Sequence, residues 1–187
     1  MNIEQRLHAE QETPAPMEIV SSDGEITLQQ FTPEDAKEVF DLIDRNREHL
    51  SQFGENTPQK YPTYESVLES IVHPKNPKRL RFGIRNKTGE YMGSINLTSQ
   101  GFHQGEVGYY VGEEFTGKGY TTKAVQTLTD YAFASLGYEV LFGVVAEGNT
   151  ASMKVLKKAG YIQARSYTDV QGKNVVDFIK AHDPADS

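Results

Sequence analysis

Phe115-Thr116-Gly117-Lys118-Gly119-Tyr120-Thr121-Thr122 is the stretch that decides how this chain is read, because it joins an alternating run ending at Val111 to a helical stripe beginning at Thr122. Glycines at 117 and 119 let the backbone turn so that successive N–H groups converge, and the helix start adds unpaired N–H groups and a positive dipole end. Such a turn is a cradle for an anion, phosphate above all. The same residues also suit a plain strand-to-helix turn, since glycines punctuate turns in general.

Two familiar phosphate motifs fail on these residues. Gly112 to Lys118 fits the first seven positions of a P-loop, but the next must be a magnesium-binding Ser or Thr and is Gly119. A dinucleotide fingerprint needs a third glycine where Thr122 stands, and it needs a parallel βαβ unit. What precedes the loop is not such a unit. Leu80, Phe82 and Ile84 alternate with Arg81, Gly83 and Arg85, Asn86 to Gly89 has turn chemistry, and Tyr91 to about Thr98 returns. After a Gly101 to Gly105 turn, Glu106 to Val111 completes a three-stranded antiparallel meander.

Downstream of the loop a helix is expected from Thr122 to about Leu136, with Val125, Leu128, Ala132 and Leu136 inward and Gly137 as its stop. Val140 to Ala146 is almost continuously apolar, as in a strand covered on both faces. Asn149 caps a last helix that buries Ala151, Val155, Leu156 and Ala159 and ends at Gly160. Tyr161 to Tyr167 and Val175 to Ala181 form a closing hairpin around Gln171, Gly172 and Lys173.

Upstream, Gly24 to Phe31 reads as a strand with Ile26, Leu28 and Gln30 on one face. Thr32 caps a helix that has Pro33 at its first position and Asp35 in a capping box, and whose stripe Val39, Leu42, Ile43 and Leu50 runs toward Phe53. Thr63 caps a second, short helix through Leu68 and Ile71 to Pro74. The expected fold is therefore α/β, a mixed, mostly antiparallel sheet of about seven strands, splayed near Val111, with helices on both faces. Residues 1–23 read as a polar N-terminal extension, 24–182 as one domain and 183–187 as a polar tail.

Composition narrows the chemistry. A chain of 187 residues is long enough to bury a sizeable core as one domain. No cysteine is present, which removes disulfides, thiolate metal sites and a cysteine nucleophile. No two of the five histidines stand at the spacing that puts two ligands on one helix face, so no metal site is expected. A formal charge of −7 argues against a nucleic-acid binder and mildly favours a cationic partner. No run reaches bilayer length and Met1 to Pro16 has no apolar core, so no membrane contact and a cytoplasmic location are expected.

Four stretches together carry a family resemblance: Gly108-Tyr109-Tyr110-Val111, Gly117-Lys118-Gly119-Tyr120-Thr121-Thr122, Asn149-Thr150-Ala151-Ser152 and Ala159-Gly160-Tyr161. They resemble the GNAT acetyltransferases, specifically the branch that acetylates ribosomal-protein N-termini at Ala or Ser, and Asn46-Arg47-Glu48-His49-Leu50 resembles that branch too. Each stretch alone is weak, the set is specific, and spans from Ile26 to Ile179 fit the fold in order.

The resemblance implies acetyl-CoA as cosubstrate, its pyrophosphate on Thr116, Gly117, Lys118, Gly119, Tyr120, Thr121 and Thr122 and its pantetheine and acetyl group beside Tyr110 and Val111. It implies Ser152 as the acid near the sulfur and Asn149 as both helix cap and pantetheine contact; a Ser this early in a helix also suits its local backbone. Glu106 opens the strand that borders the acetyl group and is the candidate base, unless it is only a solvated strand end.

Three positions depart from the pattern: Thr116 stands for Gln or Arg, Thr121 for Gly or Ala, and Leu156 for the Tyr that many GNAT enzymes use as acid. A threonine hydroxyl can still contact phosphate at either loop site. Phe53, Tyr61 and Tyr64 lie where the family shapes its acceptor groove, with Glu48, Glu55 and Glu65 as candidate attractors of a cation. The implied partner is an amine acceptor, a protein N-terminus or else a polyamine or aminoglycoside, and the implied state a monomer or homodimer. A CoA-binding module without catalysis is the rival reading.

Overall fold

Alternation with a period of two makes a sheet, and the register shows which side chains that alternation stacks. In the computed structural model, which describes residues 15–183, the meander consists of β3 (Arg79–Asn86), β4 (Tyr91–Gly101) and β5 (Gln104–Val111), with Leu97 opposite both Leu80 and Val107. The remaining strands are β1 (Glu18–Val20), β2 (Ile26–Gln30), β6 (Val140–Ala146), β7 (Ile162–Thr168) and β8 (Asn174–Ala181). One sheet runs β1-β2-β3-β4-β5-β6-β8-β7, and only the β5·β6 pair is parallel. Residues 1–14 of the expected extension and 184–187 of the expected tail lie outside the described residues.

The eighth strand comes from the stretch read as extension. Ile19 pairs with Leu28 and Glu18 with Gln29, and the Gln29 amide donates to the Glu18 carboxylate at 3.0 Å. Three residues with one inward side chain are too short to carry a periodic signal, so the sequence hid this strand.

Helices α1 (Ala36–Arg45), α2 (Thr57–Lys60) and α3 (Tyr64–Val72) cover one face of β3: Arg81 donates to the Ser70 carbonyl at 2.8 Å, and Arg85 pairs with Asp35 at 2.7 Å and with Glu38. Thr32 N–H donates to Asp35 at 2.7 Å, and Thr63 and Ser66 close the second capping box. The expected stripe toward Phe53 breaks. Asn46 ends α1, and Phe53 sits at φ +56° in a 3-10 turn, His49–Gly54.

The opposite face carries α4 (Tyr120–Leu136) and α5 (Thr150–Lys158). Ala124, Val125, Leu128 and Ala132 of α4 are buried, whereas Leu136 at its last turn is exposed. Leu156 of α5 packs so tightly on β6 that a Cβ at Gly143 would lie 2.9 Å from it. The β4–β5 turn is tighter than expected, with only Phe102 and His103 at its tip, both at positive φ.

β6 corrects another expectation. Leu141, Gly143 and Val145 are buried, but Val144 on the other face is 40% exposed, so the strand is covered on one side only. Its remaining apolar residues face a cleft. β5 and β6 pair only from Gln104 to Glu106 against Val140 to Phe142, and past that point they diverge. The fork thus opens after Glu106, earlier than the splay expected near Val111. A bulge at Met92 bends β4 at the level of this fork, and Gly93 makes the approach possible, because a Cβ there would land on the Tyr110 carbonyl oxygen.

Candidate active site

A groove of about 1120 Å³ runs through the fork. One end is lined by Thr116, Gly117, Gly119, Thr121 and Thr122, the middle by Glu106 to Val111 and Gly143 to Ala146, and the other end by α2, α3 and the His49–Gly54 turn. That is large for a single small ligand, for which about 300–1,000 Å³ is usual, and suits two substrates meeting end to end.

The loop end is made of backbone. Gly117 and Gly119 sit at φ +73° and +87°, and a Cβ at either would meet open space, so conformation rather than crowding calls for glycine. Within α4 the first N–H to find a helical acceptor is that of Lys123, on Gly119 O at 3.1 Å. The N–H groups of Tyr120, Thr121 and Thr122 precede it and are left for a ligand or solvent.

Two side chains of this loop are not where the sequence put them. Lys118 turns away from the groove toward the Phe115 ring, at 5.9 Å from its centroid, and Tyr120 packs against the core. The Thr116 hydroxyl donates to Glu113 O at 2.7 Å, so the contact expected from it is already spent inside the loop.

At the fork, the Asn149 side-chain oxygen accepts the Ser152 N–H at 3.1 Å, which leaves the Asn149 amide hydrogens free of that bond. Ser152 Oγ lies 2.8 Å from the Tyr109 hydroxyl, which also donates to Ser152 O at 3.2 Å. Burial pushes the Tyr109 hydroxyl up to about 12, the Ser152 bond acting the other way, so it holds its proton at neutral pH. Tyr110 donates to or accepts from Tyr91 at 3.2 Å and is likewise pushed up to about 12 by burial.

Glu106 is the last β5 residue paired with β6. It is half-buried rather than a solvated strand end, since β5 begins two residues earlier. Burial raises its carboxyl above the ordinary range; Arg79 opposes this and Asp177 adds to it. Gln100 donates to it at 3.2 Å.

The end opposite the loop is built from side chains. Phe53, Tyr61 and Glu55 line it, whereas Tyr64, Glu48 and Glu65 do not. Its floor is Arg79, Arg81, Ser94 and Asn96, on the same face of the sheet as Glu106.

The family model described as "Acetyltransferase (GNAT) domain" matches residues 25–162. The chain belongs to the GNAT acetyltransferase family. Among curated GNAT relatives, the Bacillus subtilis (strain 168) protein named "Putative ribosomal N-acetyltransferase YdaF" is 30% identical over 146 residues, covering 74% of this chain and 78% of that one. Among solved structures, RimL, a ribosomal L7/L12 alpha-N-protein acetyltransferase in complex with coenzyme A, superposes with TM-score 0.79 at 15% identity, over 88% of this chain and 98% of that one. A spermidine N-acetyltransferase SpeG chimera from Vibrio cholerae and hSSAT gives TM-score 0.70 at 17% identity, over 84% of this chain and 95% of that one.

The GNAT frame gives the departures a physical meaning. Leu156, in place of the usual Tyr, is almost fully buried against Gly143, and both residues line the groove, so this position borders the groove with no hydroxyl to offer. The sequence reading missed Tyr109, which reaches Ser152 from the opposite side of the fork. Its signal was the alternation that places Val107, Tyr109 and Val111 on one face. Asn46 was also missed as a linker: 5% exposed, it accepts the Glu113 N–H at 2.9 Å and donates to Leu42 O at 3.0 Å, tying α1 to the segment that leads into the glycine loop.

Proposed function

We propose that this GNAT chain transfers the acetyl group of acetyl-CoA directly to a protein N-terminal α-amine, of the ribosomal-protein type, in the cytoplasm. The observation that carries the reading is the continuous groove, with a backbone anion cradle at one end, a side-chain-lined end at the other, and Ser152, Tyr109 and Glu106 at the fork between them. The cradle fits a pyrophosphate because convergent N–H groups at a helix start meet one with no side chain in the way. Acetyl-CoA supplies an activated acyl thioester.

The chain's own groups then have four tasks. Tyr120, Thr121 and Thr122 N–H, with Gly117 and Gly119, hold the pyrophosphate. Backbone N–H groups between Gly108 and Val111, on the β5 edge that β6 has left, are available to pantetheine amides and to the carbonyl oxygen that gains charge. Glu106 takes a proton from the α-ammonium, directly or through water; with an α-amine pKa near 8 most acceptor arrives protonated, and a carboxylate raised above its usual range is a better base for it. Ser152 gives its hydroxyl proton to the sulfur as the C–N bond forms and the C–S bond breaks, and recovers a proton from the one the amine nitrogen sheds or from water; the Tyr109 hydroxyl, 2.8 Å away, backs it in the duty that Leu156 cannot perform. Asn149 fixes the first turn of α5 and so the position of Ser152.

The test is thiol release from acetyl-CoA with N-terminal peptides beginning with Ser or Ala and, separately, with spermidine. The proposal expects kcat/KM for at least one peptide to exceed that for spermidine by about tenfold or more. The reverse ranking assigns the site to small amines. Acetyl-CoA binding with no thiol release from any amine returns the chain to a binding module.

A further inference from the structure

Across a chain of net charge −7, the acceptor end of the groove does not share the excess of acid. Its charged lining is Lys60, Lys75, Arg79 and Arg81 against Glu55, Glu69 and Glu106. Glu106 is the group assigned to the proton, so the charges left to meet an acceptor are four basic and two acidic.

Arg81 is the decisive residue. It is half-buried, and its guanidinium is oriented by Ser70 O at 2.8 Å, by the Tyr61 hydroxyl at 3.4 Å and by the Phe31 ring at 5.4 Å from its centroid. All these partners are neutral. Among the described residues no carboxylate lies within ion-pair distance of Arg81 or of Arg79, whose Nε donates to Thr98 at 3.0 Å, although Arg85 two turns of the pleat away engages both Asp35 and Glu38. A half-buried guanidinium keeps most of its five donors in one plane and gains most from a carboxylate, which it can grip at two points. Arg81 is held ready without one.

Register places this charge relative to the base. Arg79, Thr98 and Glu106 form one cross-strand row, and Arg81, Asn96 and Gly108 form the next, on the same face. With strands about 4.8 Å apart and about 3.4 Å per residue, the Arg81 and Glu106 backbones are roughly 12 Å apart. An extended peptide advancing about 3.4 Å per residue can therefore lay its α-amine at Glu106 and a carboxylate from its second or third residue at Arg81.

We propose that the acceptor is an acidic N-terminus, an α-amine followed within two residues by Asp or Glu, selected by Arg81 with help from Arg79. This rests on the N-terminal reading above and narrows it; a polycation is disfavoured at the same place. The mild preference for a cationic partner inferred from net charge does not carry over to the groove, because net charge averages over a surface that the acceptor does not touch.

The experiment uses three otherwise identical, C-terminally amidated peptides that begin Ser-Asp-Glu, Ser-Asn-Gln and Ser-Lys-Lys, with spermidine alongside. The expected kcat/KM order is acidic over neutral over basic, with about tenfold between the first two. Arg81→Gln should bring the acidic-to-neutral ratio to within about twofold of one, Arg81→Lys should keep part of it, and Arg79→Gln, which touches no helix, should reduce it. Thermal unfolding identifies any variant that fails to fold, and Arg79→Gln then carries the test. Peptides acetylated at equal rates, or a ratio that survives both Gln variants, overturn the selectivity and leave the N-terminal reading standing. Spermidine turned over with no peptide acetylated overturns both.

Discussion

The two ends of the groove are made differently. The cofactor end is a surface of backbone N–H groups placed by two left-handed glycines and the start of α4. The acceptor end is a surface of side chains, Phe53, Tyr61, Arg79 and Arg81, projected from a 3-10 turn, a short helix and one strand. A backbone cradle accepts few changes of conformation but many of side chain, which is why Thr116 and Thr121 can depart from the family pattern. A side-chain surface has the opposite tolerance, and specificity can drift there without loss of the fold.

The contrast breaks most visibly at Gly119. Valine there must adopt φ near +87°, a conformation β-branched residues avoid, and the loop will shift instead. Acetyl-CoA affinity measured by calorimetry should fall about a hundredfold, about 2.7 kcal/mol. Gly119→Val with unchanged affinity would show that the cradle is not what holds the nucleotide.

The fork between the two ends comes next. Ser152→Ala should lower kcat about thirtyfold and Tyr109→Phe about tenfold, with KM for acetyl-CoA within about twofold of the parent, if both hydroxyls act on a proton in the transition state as proposed. If they act as one relay, the double variant should be little worse than Ser152→Ala alone. Fully multiplied losses would separate them.

Glu106 gives a smaller effect with a sign that can be checked. Its carboxyl is raised by burial, so the folded chain holds that proton more tightly than the unfolded one. Its contribution to stability is therefore full below the ordinary carboxylate range and lost as the pH rises through the raised value. Activity runs the other way: kcat/KM should climb with pH through that same raised value as the base ionises. Glu106→Gln should cost about tenfold and remove this limb, while a second limb near 8 that shifts with the basicity of the acceptor belongs to the amine. A limb that persists in Glu106→Gln would place the base elsewhere.

The smallest effect is expected where the two ends are tied together. Asn46→Ala leaves the Glu113 N–H without its acceptor in a partly buried place, at a cost of about 1 kcal/mol in unfolding free energy. Because Glu113 leads into the glycine loop, KM for acetyl-CoA should rise about threefold as well. A loss of stability without any change in KM would mean the two ends are built independently.

The same contrast explains what could be read in advance. The order of elements along the chain, the meander, both capping boxes and the glycine loop follow from short-range rules, and the structure keeps them. β1 escaped because three residues carry no period, and β6 misled because apolar residues that face a ligand cleft look the same in sequence as residues that face a core. Asn149 was legible as a helix cap, which the structure keeps, and Ser152 was singled out through the family resemblance. Tyr109 was not, since its role arises only when β5 and β6 part and α5 comes within 2.8 Å of it across the fork. Arg81 looked like the solvent phase of an alternating strand until α3 closed over it.

Asn46 leaves one consequence for how the two substrates would sense each other. Its amide is shared between the end of α1, which leads into the His49–Gly54 turn lining the groove, and the turn that enters the glycine loop, so ordering either one restrains the other. Linkage then demands a reciprocal effect: whatever factor bound acetyl-CoA adds to the affinity for an acceptor peptide, the peptide must return to acetyl-CoA. Measured as two titrations in opposite order with a non-reactive thioester analogue, the two factors should agree, and both should shrink toward one in Asn46→Ala. The chain would then bind its substrates synergistically without any large movement, through the buried Asn46 amide beside the exposed Arg45–Glu114 ion pair.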